Sequence, residues 1–260
     1  QHWHVMVYGE FIQEPQVQFA RQLVSHLPAP LESVYFVNSG SEAVEGGLKL
    51  AKRYTGRGEV VAFGSAYHGS THGALSVSGG ESLKRNFRPL VPGIRFADFN
   101  DPEAANSITD QTAAVIVETV QGEAGARPSS QAFLNAIRER CNETGALLIL
   151  DEIQAGMGRT GALFAFEHYG IQPDILLLGK ALGGGLPVGA FVSSRAVMSV
   201  LTHDPVLGHI STFGGHPLPC VAGQATLNVL LEEGLIDTVG AKAERFRQNL
   251  EGQPGVRQLH

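Results

Sequence analysis

Short apolar runs alternate with helical patterns along most of this chain, and that alternation limits the folds it can adopt. Each run is apolar on both faces, as a parallel strand covered by helices is. The predicted strands are at 33–38, 59–64, 94–97, 113–119, 146–151, 174–179 and 188–193. The predicted helices are at 14–27, 41–54, 101–109, 129–144, 195–202, 217–232 and 235–250. The pattern predicts an α/β fold with a mostly parallel central sheet covered by helices.

Composition excludes several classes of function. The 260 residues are 43% apolar and carry a net charge of −6, without the basic tract that nucleic-acid binding needs. No apolar run reaches the length of a membrane span. The two distant cysteines, Cys141 and Cys220, fit no metal or redox spacing, and their scarcity indicates a cytoplasmic protein. The start at Gln1 and the end at His260 predict a chain cut at both ends.

Polar residues collect where the predicted strands end. Ser39 to Ser41 follow the first strand, and Glu118 to Glu123 follow another. Asp151 and Lys180 end two further apolar runs. Because ligands bind at the carboxyl ends of the strands in such sheets, we expect these residues to form one site.

Lys180 and Asp151 together indicate pyridoxal 5′-phosphate (PLP) chemistry. A lysine that forms a Schiff base needs partial desolvation, which lowers its pKa and frees the amine. A carboxylate that faces the pyridine nitrogen keeps it protonated, and the ring then accepts electrons. The alternatives are a snorkelling lysine and an N-cap aspartate. A phosphate-binding P-loop is rejected, because Lys180 lacks the upstream glycine and the following Ser or Thr.

The turn with Ser39, Gly40 and Ser41 joins a strand to a helix. Glycine lets the backbone approach an anion, and the first free N–H groups of a helix can hold a phosphate. The alternative is a simple N-cap by Ser39 or Ser41. With a cofactor lysine elsewhere in the chain, phosphate binding is the favoured interpretation.

Further side chains suit an aromatic cofactor, each with a structural alternative. Tyr67 can stack on a ring, or it is a core aromatic beside a satisfied His68. His68 and His72 share a helical spacing, but without a third ligand no metal site is predicted. Gln154 can bond the phenolic oxygen of the ring, or it faces solvent. Thr212 can donate to a phosphate, or its turn only caps a helix.

Six motifs, in this order, resemble the class III aminotransferases. These are PLP enzymes of fold type I that include acetylornithine, ornithine and 4-aminobutyrate aminotransferases. The motifs are Val37–Ala43, Tyr67–Gly69, Glu118–Glu123, Leu150–Gln154 with Gly158–Gly161, Gly179–Lys180 and Ser211–Gly215. The resemblance runs through essentially the whole chain. It implies an N-terminal segment at 1–30, a large PLP-binding domain at 31–234, and a helix at 235–260 leading into a small domain that is largely missing.

Carried over by position, the resemblance implies a role for each matching residue. Lys180 and Asp151 are the implied catalytic residues, and no metal is implied. The implied cofactor-binding residues are Ser39, Gly40, Ser41, Tyr67, His68, Asp151, Gln154, Lys180 and Thr212. Thr212 would reach the phosphate of the neighbouring subunit, since family members build their sites across a homodimer.

Two positions concern the substrate. Glu123 resembles a switch glutamate that pairs with an arginine until a dicarboxylate needs that arginine. Ser70 stands where members that use ornithine-type or 4-aminobutyrate substrates commonly carry an arginine. A serine cannot make the bidentate carboxylate contact. The donor is therefore a different amine, or its carboxylate is held elsewhere.

The implied activity is transamination. An amine or ω-amino acid donor, acetylornithine-like or ornithine-like, would give its amino group to a 2-oxo acid such as 2-oxoglutarate or pyruvate. Lys180 would be the general base. Another PLP reaction on the same fold, an aminomutase or a racemase, is the first alternative. A non-catalytic domain derived from the fold is the second, and the retained pair of Asp151 and Lys180 argues against it.

Overall fold

Seven strands form one sheet in the computed structural model, which describes residues 12–206, 208–254 and 256. Two further strands, the fifth and sixth, form a small separate ribbon. In chain order the strands are β1 (Ser33–Val37), β2 (Glu59–Phe63), β3 (Ile94–Ala97), β4 (Thr112–Glu118), β5 (Val120–Gln121), β6 (Arg127–Pro128), β7 (Leu147–Asp151), β8 (Ile175–Leu178) and β9 (Gly189–Ser193).

The strand order in the large sheet is β1-β9-β8-β7-β4-β2-β3. Only β9 runs against its two neighbours; the pairs β8–β7, β7–β4, β4–β2 and β2–β3 are parallel. The prediction of a mostly parallel sheet is confirmed. The register places Glu118 beside Asp151 and Asp151 beside Leu177. The carboxyl ends of three central strands therefore meet at one edge of the sheet.

Helices cover both faces of this sheet. They are α1 (Glu14–Val24), α2 (Gly40–Thr55), α3 (His72–Val77), α4 (Glu81–Lys84), α5 (Gln131–Thr144), α6 (Arg195–Met198), α7 (Pro217–Glu232) and α8 (Val239–Leu250). Short 3₁₀ helices lie at Arg85–Phe87, Pro102–Ser107, Ala165–Tyr169, Lys180–Gly183 and Ser199–Thr202. The helix predicted at 101–109 is thus a 3₁₀ helix, and the one predicted at 195–202 is an α-turn followed by a 3₁₀ turn.

Alternation along the central strands divides the core into two apolar layers. In β7, Leu148 and Leu150 pack into one layer with Phe133 of α5, while Ile149 packs into the other with Val44 of α2. Each fully buried side chain of this kind contributes roughly 1.5–3 kcal/mol. The expectation that every strand is buried on both faces is wrong for β3. That strand is an edge strand, and Phe96 in it is 44% exposed.

The start of α2 follows directly from its sequence. Ser39 is the N-cap, and its Oγ accepts a hydrogen bond from the Glu42 N–H at 3.2 Å. Gly56 ends the helix in the left-handed conformation, with φ of +70°. The helix therefore begins where β1 ends, at the same sheet edge as Asp151. Among the described residues, no helix is both long and apolar enough to cross a membrane.

Candidate active site

A cavity of about 200 Å³ lies at the carboxyl edge of the sheet. Its lining residues lie at the ends of five strands, β1, β2, β4, β7 and β8, or in the segments that follow them. They are Ser39, Gly40, Ser41, Tyr67, His68, Gly69, Glu118, Asp151, Ile153, Gln154 and Lys180. Every predicted cofactor-binding residue except Thr212 is in this set. What each of them binds stays a prediction.

Three buried ionisable residues, His68, Glu118 and Asp151, form what we call the floor of the cavity. The Asp151 carboxylate contacts the Nδ1 of His68 through Oδ2 at 2.7 Å and accepts the Ile153 N–H through Oδ1 at 3.0 Å. His68 is fixed in turn by its own N–H, which donates to Ser78 Oγ at 3.0 Å. Its Nε2 is buried without a hydrogen-bond partner. The floor thus holds a carboxylate whose orientation is set within this chain.

Glu118 is the second carboxylate of the floor. It ends β4 directly beside Asp151, and its Oε2 accepts the Tyr67 N–H at 3.2 Å. Burial raises the pKa of Glu118 to about 7; the nearby His68 opposes this rise and the Asp151 charge adds to it. Glu118 therefore changes protonation near neutral pH, in contact with the cavity.

The residue after Asp151 lies outside the cavity lining. Glu152 is 1% exposed, and its carboxylate accepts the N–H groups of Ala165 and Phe166 at 2.7 and 2.6 Å and the Thr119 hydroxyl at 3.3 Å. Burial raises its pKa to about 7 against these stabilising hydrogen bonds. Asp151 and Glu152 are thus consecutive carboxylates with different surroundings: one lines the site and the other binds the protein backbone.

The N-terminus of α2 forms one end of the cavity. Its first N–H groups have no acceptor within the helix, so they are free to bind an anion. The contact between Ser39 and Glu42 is the N-cap that the alternative interpretation expected, yet the hydroxyl that accepts it can still donate. A Cβ at Gly40 would lie 2.8 Å from Ile153 Cγ2, so only glycine fits there without a shift.

Gly69 is needed for close packing of the loop after β2 against Ser41 of α2. Its φ is +129°, and a Cβ there would lie 2.2 Å from Ser41 Oγ. The loop after β2 is thereby held against the start of α2. Ser70 reinforces this contact, because its N–H donates to Ser41 Oγ at 3.3 Å.

We call Ser39, Tyr67, Ser70, Gln154 and Lys180 the rim, since they are exposed or half-buried around the floor. The Lys180 ammonium donates to Gln154 Oε1, and the Tyr67 and Ser70 hydroxyls are 3.0 Å apart. Lys180 also has a φ of +45°, an uncommon conformation for a residue other than glycine and one that occurs at functional sites.

The expectation that Lys180 is partly desolvated is wrong for this structure, where the residue is exposed. The strand that delivers it is buried, but the chain leaves the sheet at Gly179. The lysine side chain then extends past the sheet edge. Its hydrogen-bonding partner is the neutral amide of Gln154 rather than the carboxylate of Asp151.

Three predicted site residues lie outside the cavity lining. Thr212 and Glu123 are exposed, and Ser70 reaches the site only through its bonds to Tyr67 and Ser41. Their predicted roles, toward a second subunit, an arginine and a substrate, stay predictions.

Sequence reasoning placed Glu118 among the polar residues at the strand ends without giving it a role, and it expected Gly69 to allow close approach to a cofactor ring. It gave no role to Ile153, which also lines the cavity. Glu118 had a detectable signal, because it ends an apolar strand as Asp151 does. No sequence signal indicated Ile153, because a single apolar residue in a loop can lie in many different environments.

The chemistry of these side chains fits PLP. PLP carries a phosphate, a ring with a basic nitrogen and an aldehyde. The helix terminus at Gly40 and Ser41, the carboxylate of Asp151 and the amine of Lys180 all line the same cavity, one for each of these groups. Tyr67 adds an aromatic face. The arrangement can hold such a cofactor and move a proton beside it.

Comparison with known proteins agrees with this assignment. The family model described as Aminotransferase class-III matches residues 1–255. The acetylornithine aminotransferase of Archaeoglobus fulgidus is 46% identical over 237 residues, which are 91% of this chain and 62% of that protein. The putrescine aminotransferase of Pectobacterium atrosepticum is 46% identical over 243 residues, covering 89% of this chain and 52% of that protein.

A solved structure of the ornithine aminotransferase from Toxoplasma gondii, in which PLP partly occupies the active site, has the same fold. It superposes with a TM-score of 0.89 at 32% identity, over 98% of this chain and 62% of that one. The chain therefore spans 52 to 62% of the length of these three relatives.

Proposed function

Because this chain belongs to the class III aminotransferase family, we propose that the protein carrying it transfers an amino group from an amine or ω-amino acid to a 2-oxo acid. One observation carries the proposal: an amine, a buried carboxylate and an open helix N-terminus line a single cavity of about 200 Å³. The family is PLP-dependent, and bound PLP supplies an electron sink for the carbon that loses a proton.

Asp151 and the α2 terminus are the binding groups of this proposal. The Asp151 carboxylate would accept a hydrogen bond from the protonated ring nitrogen, and His68 Nδ1 contacts this carboxylate at 2.7 Å and holds it in place. The N–H groups at Gly40 and Ser41 would bind the phosphate, because the helix dipole favours negative charge there. Tyr67 would cover one face of the ring.

Lys180 is the proton-transfer group. Its Nζ would take the proton from the carbon that bears the donor amino group and would donate it to the aldehyde-derived carbon of the bound cofactor. Gln154 accepts a hydrogen bond from this Nζ and so orients the amine within the cavity. Because Lys180 is exposed in this chain, the water exclusion that such a base needs comes from the cofactor, the substrate or a second subunit.

The donor is an amine of the acetylornithine, ornithine or putrescine type, and the acceptor is 2-oxoglutarate or pyruvate. The relatives at 46% identity are named for acetylornithine and putrescine, and a third for ornithine. Ser70 supports a donor without a carboxylate near Tyr67, since two hydroxyls lie there and no guanidinium lines the cavity among the described residues.

We also propose a cytoplasmic homodimer with shared active sites. Thr212 is exposed, and Val206, Ile210 and Phe213 beside it are 72%, 53% and 57% exposed. Exposed apolar side chains next to a polar one suit an interface that delivers Thr212 to a phosphate of the other copy. The buried free thiols of Cys141 and Cys220 support the cytoplasmic location.

Lys180→Ala in the full-length protein tests the proposal. We expect loss of the absorbance band of lysine-linked PLP and a fall in turnover of at least ~10³-fold, because both the covalent attachment and the base are removed. Wild-type protein should consume a diamine or ω-amino acid continuously only when 2-oxoglutarate or pyruvate is added. Steady turnover without a 2-oxo acid would instead indicate an aminomutase or racemase.

Lys242→Ala is the matched control, since Lys242 is an exposed lysine on α8, outside this cavity. It should leave both the band and the turnover at wild-type values. An unchanged spectrum and rate in Lys180→Ala would exclude Lys180 from the proposed role.

A further inference from the structure

Glu152 has more hydrogen-bond partners than its place next to the site explains. Its carboxylate is 1% exposed and accepts two backbone N–H groups, from Ala165 and Phe166, and the Thr119 hydroxyl. A buried carboxylate is costly to desolvate, so three donors around it indicate a specific structural task.

These contacts join three segments at one point. Thr119 follows β4, Glu152 follows β7, and Ala165 begins the 3₁₀ helix at Ala165–Tyr169. The backbone of Glu152 is fixed as well, since its N–H donates to Leu177 O at 3.0 Å and its O accepts the Gly156 N–H at 2.9 Å. The base of loop 152–166 is therefore closed by the side chain of Glu152 together with its backbone, and further along the loop the Gly158 N–H donates to Leu163 O at 3.1 Å.

Gln154 lies at the start of this closed loop. Its Oε1 accepts the Lys180 ammonium, and a Cβ at Gly122 would lie only 2.3 Å from its Nε2. The amide is thus packed tightly on the backbone of Gly122. A loop that opened at its base would move Gln154 off this surface and release the lysine.

We propose that Glu152 is a positioning residue that acts through Gln154: by closing loop 152–166, it sets where the Lys180 amine sits in the cavity. This inference rests on the proposed role of Lys180. Small displacements of a reacting group are costly, and losses of ~10²-fold follow misplacement by about 1 Å.

The task requires a carboxylate rather than any polar side chain. Two backbone N–H groups need two acceptor oxygens, and a carboxylate offers both. A glutamine offers one oxygen and one NH₂ group, so one backbone N–H would face another donor. Glu152→Gln keeps the size of the side chain and removes only this match.

The experiment uses the full-length protein and Glu152→Gln, with three measurements. We expect hydrogen exchange in the peptide 153–166 to rise ~10-fold, because the base of the loop opens locally. We expect the pH midpoint of the bound-PLP absorbance to move by roughly one pH unit, because the lysine loses its fixed partner. We expect kcat to fall ~10–100-fold while the KM for the amine donor changes less than ~3-fold.

Glu139→Gln is the matched control. Glu139 is an exposed glutamate on α5, outside loop 152–166 and outside the cavity lining. It should leave the absorbance midpoint and kcat unchanged. Thr119→Val removes the third donor without changing the shape of the side chain, and it should move both quantities in the same direction by a smaller amount.

The inference is overturned if Glu152→Gln keeps the wild-type midpoint and kcat. If Glu152→Gln fails to fold, a wild-type midpoint in Thr119→Val overturns it. If the wild-type protein binds PLP but does not transaminate, the proposed function fails while the exchange and absorbance data still decide the role of Glu152. If the wild-type protein shows no PLP absorbance, both fail together.

Discussion

The floor and the rim of the cavity differ in how this chain builds them. His68, Glu118 and Asp151 of the floor are between 2% and 6% exposed and are held by hydrogen bonds within the chain. Lys180 and Ser70 of the rim are exposed. The difference shows that the sheet, together with the loop that carries His68, completes the carboxylate end of the site. The amine end has few fixed contacts.

The cause lies in where the side chains attach. Glu118 and Asp151 are paired residues of neighbouring parallel strands, so their separation is set by the backbone ladder. The rim residues lie beyond the strand ends, on loops or at the first residues of helices, so no strand pairing fixes them. Substitutions in the floor should therefore change folding and chemistry together, whereas substitutions in the rim should change chemistry alone.

Asp151→Asn should show the largest combined effect. It leaves His68 facing an amide instead of a carboxylate at 2.7 Å, where both side chains are buried. We expect a loss of about 1–3 kcal/mol in the free energy of unfolding. Turnover should fall ~10²–10³-fold, as when a charge-stabilising group is removed from an active site. Urea unfolding and steady-state rates measure the two quantities.

Asp98→Asn is the control for this change, since Asp98 is an exposed aspartate outside the cavity lining. It should alter neither quantity beyond about 0.5 kcal/mol. A stable Asp151→Asn protein with lost turnover would show that the floor behaves like the rim, and the distinction between them would fail.

Glu118 makes the floor sensitive to pH. Burial raises the pKa of Glu118 from 4.5 to about 7, so the folded protein holds this proton more tightly than the unfolded chain does. The contribution to stability is full below pH 4.5 and is lost as the pH rises through 7. A shift of this size corresponds to about 3 kcal/mol at most. Between pH 5 and 8, the unfolding free energy of Glu118→Gln should therefore fall by about 1–3 kcal/mol less than that of the wild type.

Glu123→Gln sharpens this test, because Glu123 is an exposed glutamate five residues further on. The stability of that variant should follow the wild-type curve at every pH. If Glu118→Gln also follows the wild-type curve, Glu118 has no part in the pH response and the floor is not an electrostatically coupled unit.

The sheet was predictable because its central strands are buried on both faces. A short apolar run such as Ala146–Asp151 is typical of a buried strand. All seven predicted strands are present, and their ends lie within two residues of the predicted ends. The antiparallel direction of β9 could not be predicted, because an apolar run has the same pattern in a parallel and in an antiparallel strand. The six-residue α3 was also missed, because it is too short to show a helical period.

The site was predictable where strand ends determine it. Asp151 and Lys180 line one cavity because β7 and β8 are parallel neighbours. The exposure of Lys180 was not predictable, because it depends on what covers the sheet edge rather than on the residues around position 180. The bond between His68 and Asp151 joins residues 83 positions apart, and no sequence spacing indicates it.

Tyr67→Phe should have the smallest effect. It removes a hydroxyl that lies 3.0 Å from Ser70 Oγ on the rim, where water can replace the lost partner. We expect unfolding free energy to change by less than about 0.5 kcal/mol and the KM for the amine donor to change ~2–5-fold. Ser70→Ala and the double variant complete a thermodynamic cycle, with an expected coupling of about 0.5 kcal/mol in unfolding free energy. A coupling above about 1.5 kcal/mol would mean that the two hydroxyls are held as firmly as the buried carboxylates. The rim would then be fixed by contacts within this chain, as the floor is.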